Sequence, residues 1–306
     1  MTPQRAYVLL RSGRRLDLLD PDPDSWTDED LAIGLSRTHR WGGHSKWDLP
    51  LSVAQHSLLV LAIREEVIRG VPSHDGFLHA LLHDAEEGLL GFDCITPLKP
   101  HLGPAFAAVT DRLKAAIARR YRLPGCTPEE HALCKHADRL AAASEAFHVA
   151  GWSRSEMTDG LGIQTAPLPD DPLRSYIVGL PKGLRPWEPW PADLAARLFL
   201  QRLEALGEEV EREAKLRDLA GAFSRLPAHL RARCGHAVTG NPLFDTLVHA
   251  EAGGHSGSVE GVVVAGARDP DGAWDLDGAF TVFTTDHRPE GELLVVHGYS
   301  CSVDVL

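Results

Sequence analysis

"LLHDAEEG", residues 81–88, sets a histidine and an aspartate side by side in an apolar stretch, with two glutamates close behind. Residues from about 76 to 90 read as one helix, because leucines and alanines recur there at helical spacing. An unpartnered carboxylate in a core helix is costly, so acids placed among leucines imply a group that satisfies them. Partners for His83 and Asp84 have to come from elsewhere in the chain.

Upstream, Ser52 followed three residues later by Gln55 reads as a capping box. It opens the apolar helix "VAQHSLLVLAIREEVI" (53–68), stopped by Gly70 and Pro72, and this helix carries His56. Downstream, Thr127, Pro128 and the acids after them form a helix N-terminus. That helix runs to about Gly151 and carries Asp138 in "KHAD" (135–138). Taken singly, each residue has an ordinary reading: a hydrogen-bonded core histidine, a surface His-Asp pair, an aspartate paired with Lys135 or Arg139. Taken together, His56, His83, Asp84 and Asp138 lie on three core-type helices, and one divalent cation shared among them satisfies all four. Mixed nitrogen and oxygen ligands suit Mn, Co, Fe, Ni or Zn better than calcium.

Outward from these helices the chain is helical with loops. Residues 6–19 read as a small hairpin around a Ser-Gly turn. Thr27 and the three acids after it start a helix through "LAIGLS" (31–36). "RTHRWGGHSKWDLPL" (37–51) and "GFDCITPLKPHLGP" (91–104) read as loops, and "AFAAVTDRLKAAIARRY" (105–121) as a helix. Residues 152–192 are rich in Pro and Trp and read as irregular, ahead of a long Ala/Leu/Glu-rich helix over about 192–222. Beyond residue 225 the composition shifts to β-branched runs, "VEGVVVAGARDPDGAW" (259–274), "AFTVFTTD" (279–286) and "ELLVVHGYSCSVDVL" (292–306). The expected fold is therefore mainly α, a helical bundle with a small C-terminal strand-containing α+β unit. The expected organisation is an N-terminal hairpin extension over 1–24, a helical domain over 25–222, and a unit of unknown role over 223–306.

A chain of 306 residues with 43% hydrophobic and 24% charged residues belongs to the globular class. Its net charge of -12 argues against a nucleic-acid polymer as partner, since phosphate backbones are held by an excess of Lys and Arg. A small phosphorylated ligand needs only one or two well-placed cations. The five cysteines include no C-x-x-C pair, which argues for a reducing compartment. The N-terminus has no apolar core of a signal peptide and no window is long and apolar enough for a span. A cytoplasmic location without a membrane partner is expected.

The order H…HD…D and its surroundings resemble the HD-domain phosphohydrolase superfamily and, within it, the 5′-deoxynucleotidase branch. The stretches that carry the resemblance are "HRW" (39–41), "SVAQHS" (52–57), "HDAEEGLLGFDCITPLK" (83–99) and "KHAD" (135–138). It covers about residues 25–200 and leaves the C-terminal unit out. It implies an HD-domain bundle, with His56, His83, Asp84 and Asp138 as ligands of one divalent transition metal. It also implies Glu87 as the acid that orients or deprotonates the attacking water, and Asp93 and Thr96 as the acidic and hydroxyl positions of the substrate loop. Arg40 matches the phosphate-binding arginine and Trp41 the aromatic that orients the nucleotide. The chain departs from the branch by one extra residue between Glu87 and Asp93, which bears on Asp93. It also has Glu86 where a small residue is usual, which leaves open which glutamate points inward.

The chemistry is coherent on the residues themselves. Phosphate ester hydrolysis needs a Lewis acid on the phosphoryl oxygens and an activated water. It also needs positive charge facing the transition state, which Arg40 can supply. Glu87 lies one helical turn after Asp84 and so beside the metal ligands. The expected activity is hydrolysis of (deoxy)nucleoside 5′-monophosphates to nucleoside and phosphate, with a small-molecule nucleotide as partner and a homodimer left open. The alternatives are a dNTP triphosphohydrolase, another HD phosphodiesterase or alarmone hydrolase, and, in a different class, a nucleotide-sensing interaction module. His79, His101, His131 and His136 are not counted as ligands, Lys99 is as readily a solvated lysine, and His236, His249 and His255 lack ligand spacing. Trp187 and Trp190 are expected to pack on the helical core.

Overall fold

The computed structural model describes residues 5–68, 73–95, 97–177 and 184–224, and beyond them the strand residues 257–259, 262–265, 281–284, 294–297 and 303–305; side chains are described as far as residue 211. The chain is mainly helical with a small strand-bearing unit, as expected. Contacts divide it into two compact units, residues 1–207 and 208–306, and the division falls inside the last helix.

The first unit opens with a hairpin, β1 (Tyr7–Leu9) against β2 (Arg15–Asp17), antiparallel with Val8 opposite Leu16. Gly13 at φ 85 takes the left-handed corner of its turn. Asp30, the third residue of α1 (Asp28–Arg37), fixes this hairpin to the bundle: its carboxylate accepts from Ser12 N at 2.9 Å and Ser12 Oγ at 2.6 Å. It also closes a capping box with Thr27.

α2 (Val53–Ala62) is buried at every position, the mark of a central helix, and continues as one wide π turn over Ile63–Val67. Packed on it are α1, α3 (His74–Leu81) and α6 (Pro128–Glu145). The expected capping box at its start is half formed. Ser52 Oγ accepts from Gln55 N at 3.2 Å, but the Gln55 amide is used elsewhere, donating to Glu188 O at 3.1 Å and accepting from Trp190 N at 2.7 Å. That amide ties residues 188–190 to the core, where Trp187 and Trp190 are both buried.

The helix expected over 76–90 is two helices. α3 ends at Leu81 and α4 (Ala85–Leu90) begins after a break at residues 82–84, with Asp84 as its N-cap at φ -116, ψ 23. Neighbours in a continuous helix point about 100° apart. The break is what lets His83 and Asp84 face one point. α4 lies against α1 at an intimate glycine crossing, where a Cβ on Gly34 would collide with the Gly88 carbonyl.

Two further readings are corrected. α5 spans Lys99–Arg120 with a kink at Gly103 (φ 77) and Pro104, so part of the expected loop is a helical turn. Residues 154–161 form α7 (Arg154–Leu161) within a stretch read as irregular, capped by a Ser153/Glu156 box that the surrounding Pro and Trp residues obscured. α8 (Ala192–Ser224) matches the long helix expected there.

In the second unit β3 (Gly257–Val259), β4 (Val262–Ala265), β5 (Thr281–Thr284), β6 (Leu294–His297) and β7 (Val303–Val305) pair antiparallel in chain order. Val263 stands opposite Phe283, and Val282 opposite Val296. Gly70, Pro72, Thr96, His236, His249, His255, Cys234 and Cys301 lie outside the described residues. Among the described residues no helix is long and apolar enough to cross a membrane.

Candidate metal centre

α2 supplies His56, fully buried; the break between α3 and α4 supplies His83 and Asp84; α6 supplies Asp138. His56 Nε2 lies 3.2 Å from His83 Nε2 and 3.5 Å from Asp84 Oδ2, and His83 Nε2 lies 3.2 Å from that same oxygen. The ligand atoms of His56, His83 and Asp84 are within 4.8 Å of one another, a cluster that could hold a metal ion. Asp138 Oδ1 comes to 3.5 Å from His56 Nε2 and 3.8 Å from His83 Nε2.

The far sides of both imidazoles are committed. His56 Nδ1 is 2.5 Å from Glu145 Oε1, and His83 Nδ1 is 2.8 Å from Ala80 O. Both partners can only accept from these nitrogens, so each Nδ1 carries the proton. Each neutral ring then turns its Nε2 lone pair inward, toward the other and toward two carboxylate oxygens. Four electron-rich atoms in contact need a positive charge between them. A cation bound at about 2.0–2.2 Å sets neighbouring ligand atoms about 2.8–3.6 Å apart, close to the separations found. Backing of ligand histidines by a carboxylate and a carbonyl is also the usual outer shell of a metal site.

The electrostatics agree. Burial and the Arg40 guanidinium act against it, yet Glu145, Asp138 and Asp84 raise the His56 imidazole well above its usual range. Burial likewise opposes ionisation of Asp84 and Asp138, but the two imidazoles hold both carboxyls below the usual carboxylate range. The cluster thus favours positive charge at its centre and negative charge on its carboxylates, as a cation site does.

Glu86 and Glu87 both point inward, in α4's first turn. Glu86 Oε1 is paired with Lys114 Nζ at 3.0 Å. Glu87 Oε1 is 3.7 Å from Lys99 Nζ, and the second oxygen of each glutamate is buried without a hydrogen-bond partner among the described residues. Burial, then Asp84 and Asp93, push the Glu87 carboxyl up to about 9.

Arg40 occupies the centre of the acidic wall. Its Nη1 is 3.8 Å from Asp84 Oδ2 and 3.7 Å from Asp93 Oδ1, while Nε and Nη2 each reach Glu145 Oε2 at 3.4 Å. Asp93 therefore joins the cluster despite the extra residue before it, helped by the left-handed Gly91 (φ 70) that ends α4. Trp41 stands at φ 55, ψ 29, a conformation that costs a bulky side chain about 1–3 kcal/mol. Its indole N–H donates to Glu145 Oε2 at 3.1 Å and its ring packs on Ala143, Ala146 and Met157.

Glu145 is the residue that sequence reasoning missed. It ends α6, is fully buried, and touches His56, Arg40 and Trp41. The signal was its position seven residues after Asp138, on the same helix face, as an acid in the Ala-rich run "AAASEAF" (141–147). Of the described histidines not counted as ligands, His79 Nε2 bonds Pro124 O, and His101, His131 and His136 are exposed.

No family model matches the chain. It is 40% identical over 179 residues to an uncharacterized protein of Rhodobacter capsulatus, a match covering 55% of this chain and 90% of that relative. At that identity and coverage, this chain belongs to the same family as the uncharacterized Rhodobacter capsulatus protein.

Proposed function

We propose that this chain is an HD-type metal-dependent phosphohydrolase acting on nucleotides, and that its reaction is hydrolysis of (deoxy)nucleoside 5′-monophosphates. The observation that carries the reading is the pair of Nδ1-anchored imidazoles facing each other, with Asp84 and Asp138 beside them. His56, His83, Asp84 and Asp138 would hold the cation, one of Mn, Co, Fe, Ni or Zn by ligand type.

A cation there supplies Lewis acidity to a phosphoryl oxygen and lowers the pKa of water. The chain's own residues supply the rest. Each glutamate, Glu86 and Glu87, keeps one buried oxygen without a hydrogen-bond partner among the described residues. Glu86 pairs with Lys114 at 3.0 Å but Glu87 reaches Lys99 only at 3.7 Å, which leaves Glu87 the freer of the two to orient a water. Arg40 Nε and Nη2 are held by Glu145, but Nη1 lies 3.7–3.8 Å from Asp93 and Asp84, beyond hydrogen-bond distance, so that donor remains available to a phosphate oxygen. Asp93 holds that guanidinium over Asp84, and Trp41 forms the wall beside it. Thr96 keeps the substrate-loop role that the resemblance gives it. An inward-pointing glutamate beside the four candidate ligands is what water activation requires, which favours catalysis over a sensing module.

The test is a metal-supplemented screen of nucleoside mono-, di- and triphosphates and phosphodiesters, with products identified. Orthophosphate from 5′-monophosphates supports the proposal. Triphosphate or pyrophosphate as the product moves it to the corresponding HD hydrolase, and no turnover of any class by metal-loaded protein leaves the sensing module standing.

A further inference from the structure

Glu145 is fully buried, and its hydrogen-bond partners among the described residues are all donors. Oε1 takes His56 Nδ1–H at 2.5 Å; Oε2 takes the indole N–H of Trp41 at 3.1 Å and Arg40 Nε and Nη2 at 3.4 Å each. One carboxylate therefore grips a candidate metal ligand with one oxygen and the Arg40–Trp41 turn with the other. His56 sits on α2 and the turn precedes it, and this carboxylate joins them directly, in addition to the His39–Ser52 β-bridge.

Burying a carboxylate this deeply is costly, and four donors repay it only in one arrangement. The His56 ring must present Nδ1–H outward, hence its Nε2 lone pair to the cation. Trp41 must hold its left-handed backbone, because the indole N–H otherwise swings away from Oε2. Arg40 must lie along the same oxygen, which aims its Nη1 at Asp84.

Resting on the phosphohydrolase reading, we propose that Glu145 is a positioning residue that locks His56 in its metal-binding tautomer and couples the metal centre to the Arg40–Trp41 turn. Cation affinity and phosphate affinity then depend on one another through a side chain that touches neither ligand. Outer-shell partners of ligand histidines are worth about 10–100-fold in metal affinity. Glu145→Gln keeps the shape and can still accept from His56, but it puts an amide N–H₂ against the donors of Trp41 and Arg40. Trp41→Phe removes only the indole donor and leaves the carboxylate in place.

The experiment measures Co²⁺ affinity by its visible absorption, and inorganic phosphate affinity of the Co²⁺-loaded protein, for wild type, both single variants and the double variant. The expected result is a loss of about 10–100-fold in Co²⁺ affinity for Glu145→Gln, with phosphate binding weakened as well. Trp41→Phe alone should weaken Co²⁺ binding, and in the Glu145→Gln background it should add nothing, a non-additive cycle. Glu145→Gln that melts earlier yet binds Co²⁺ as wild type does, or single effects that simply add, would overturn the proposal while leaving the metal centre intact. Wild type that binds no Co²⁺ removes the metal reading and this proposal with it. If Glu145→Gln does not fold, histidine ¹H–¹⁵N spectra of unmodified Zn²⁺-loaded protein decide: a proton on His56 Nδ1 supports the bridge, and a proton on Nε2 refutes it.

Discussion

Gly34→Ala tests the crossing that sets the HD pair in place. Gly34 lies inside α1, where alanine would normally gain about 1 kcal/mol of helix propensity over glycine. Here the new methyl would run into the Gly88 carbonyl oxygen and stand 2.9 Å from its carbon, and these are backbone atoms of α4 that no rotamer change can move. Overpacking costs about 1–3 kcal/mol where side chains can yield, and the upper end applies to a backbone collision. The net expectation is a loss of about 2 kcal/mol, or roughly 4–8 °C in Tm for a unit of this size. Gly207→Ala is the control, since Gly207 lies in α8 with nothing within 4 Å of an added Cβ; it should hold or gain stability. Paired thermal melts read the difference. Displacing α4 also shifts Asp84 and Glu87, so Gly34→Ala should bind metal more weakly even where it is folded. Gly34→Ala as stable as Gly207→Ala would refute the crossing.

Three more outcomes are expected. Glu87→Gln should bind metal and nucleotide but turn over about 10²–10⁴ slower, while Glu86→Gln, which loses a pairing with Lys114, should change stability more than rate; steady-state kinetics with melts checks both. Arg40→Lys should lower kcat/KM with metal content intact, because lysine cannot reproduce the guanidinium fork, and Trp41→Ala should narrow the gap between deoxy- and ribonucleotide substrates, read on a matched monophosphate pair. Burial opposes it, yet hydrogen bonds from Ser12 and Thr27 hold the Asp30 carboxyl below its usual range. A depressed carboxyl contributes stability that is present above its unfolded pKa, about 3.9, and is lost as pH falls through the folded value. The stability difference between wild type and Asp30→Asn should therefore shrink in denaturation curves taken below about pH 4, and a difference independent of pH would contradict the hydrogen-bond account.

The helical class, most helix ends and the strand runs of the second unit were legible because they rest on local signals: Thr27 and Thr127 as caps, Gly13 in a turn, β-branched runs near the C-terminus. The same holds for His56, His83, Asp84 and Asp138, whose spacing pointed to one place and which the fold brings within a few ångströms of one another. What was hidden depends on tertiary partners. Helical periodicity runs straight through residues 82–84, yet the helix breaks there and lets two adjacent side chains face one point. Gln55 matched a capping pattern but is drawn off by Trp190, which is distant in sequence. Trp41 matched a nucleotide-orienting aromatic, and its packing and its bond to Glu145 give it a structural task that no local pattern reveals. Glu145 itself has no local signature beyond its seven-residue spacing from Asp138, since its meaning comes from four donors on three residues of other elements.

The central claim is that two imidazoles and two carboxylates share one cation. Elemental analysis of dialysed wild type, His83→Ala and Asp138→Ala tests it most directly, with circular dichroism to confirm that each is folded. The account predicts about one divalent transition-metal ion per chain in wild type and little in either folded variant. Near-stoichiometric metal retained by both variants would contradict it.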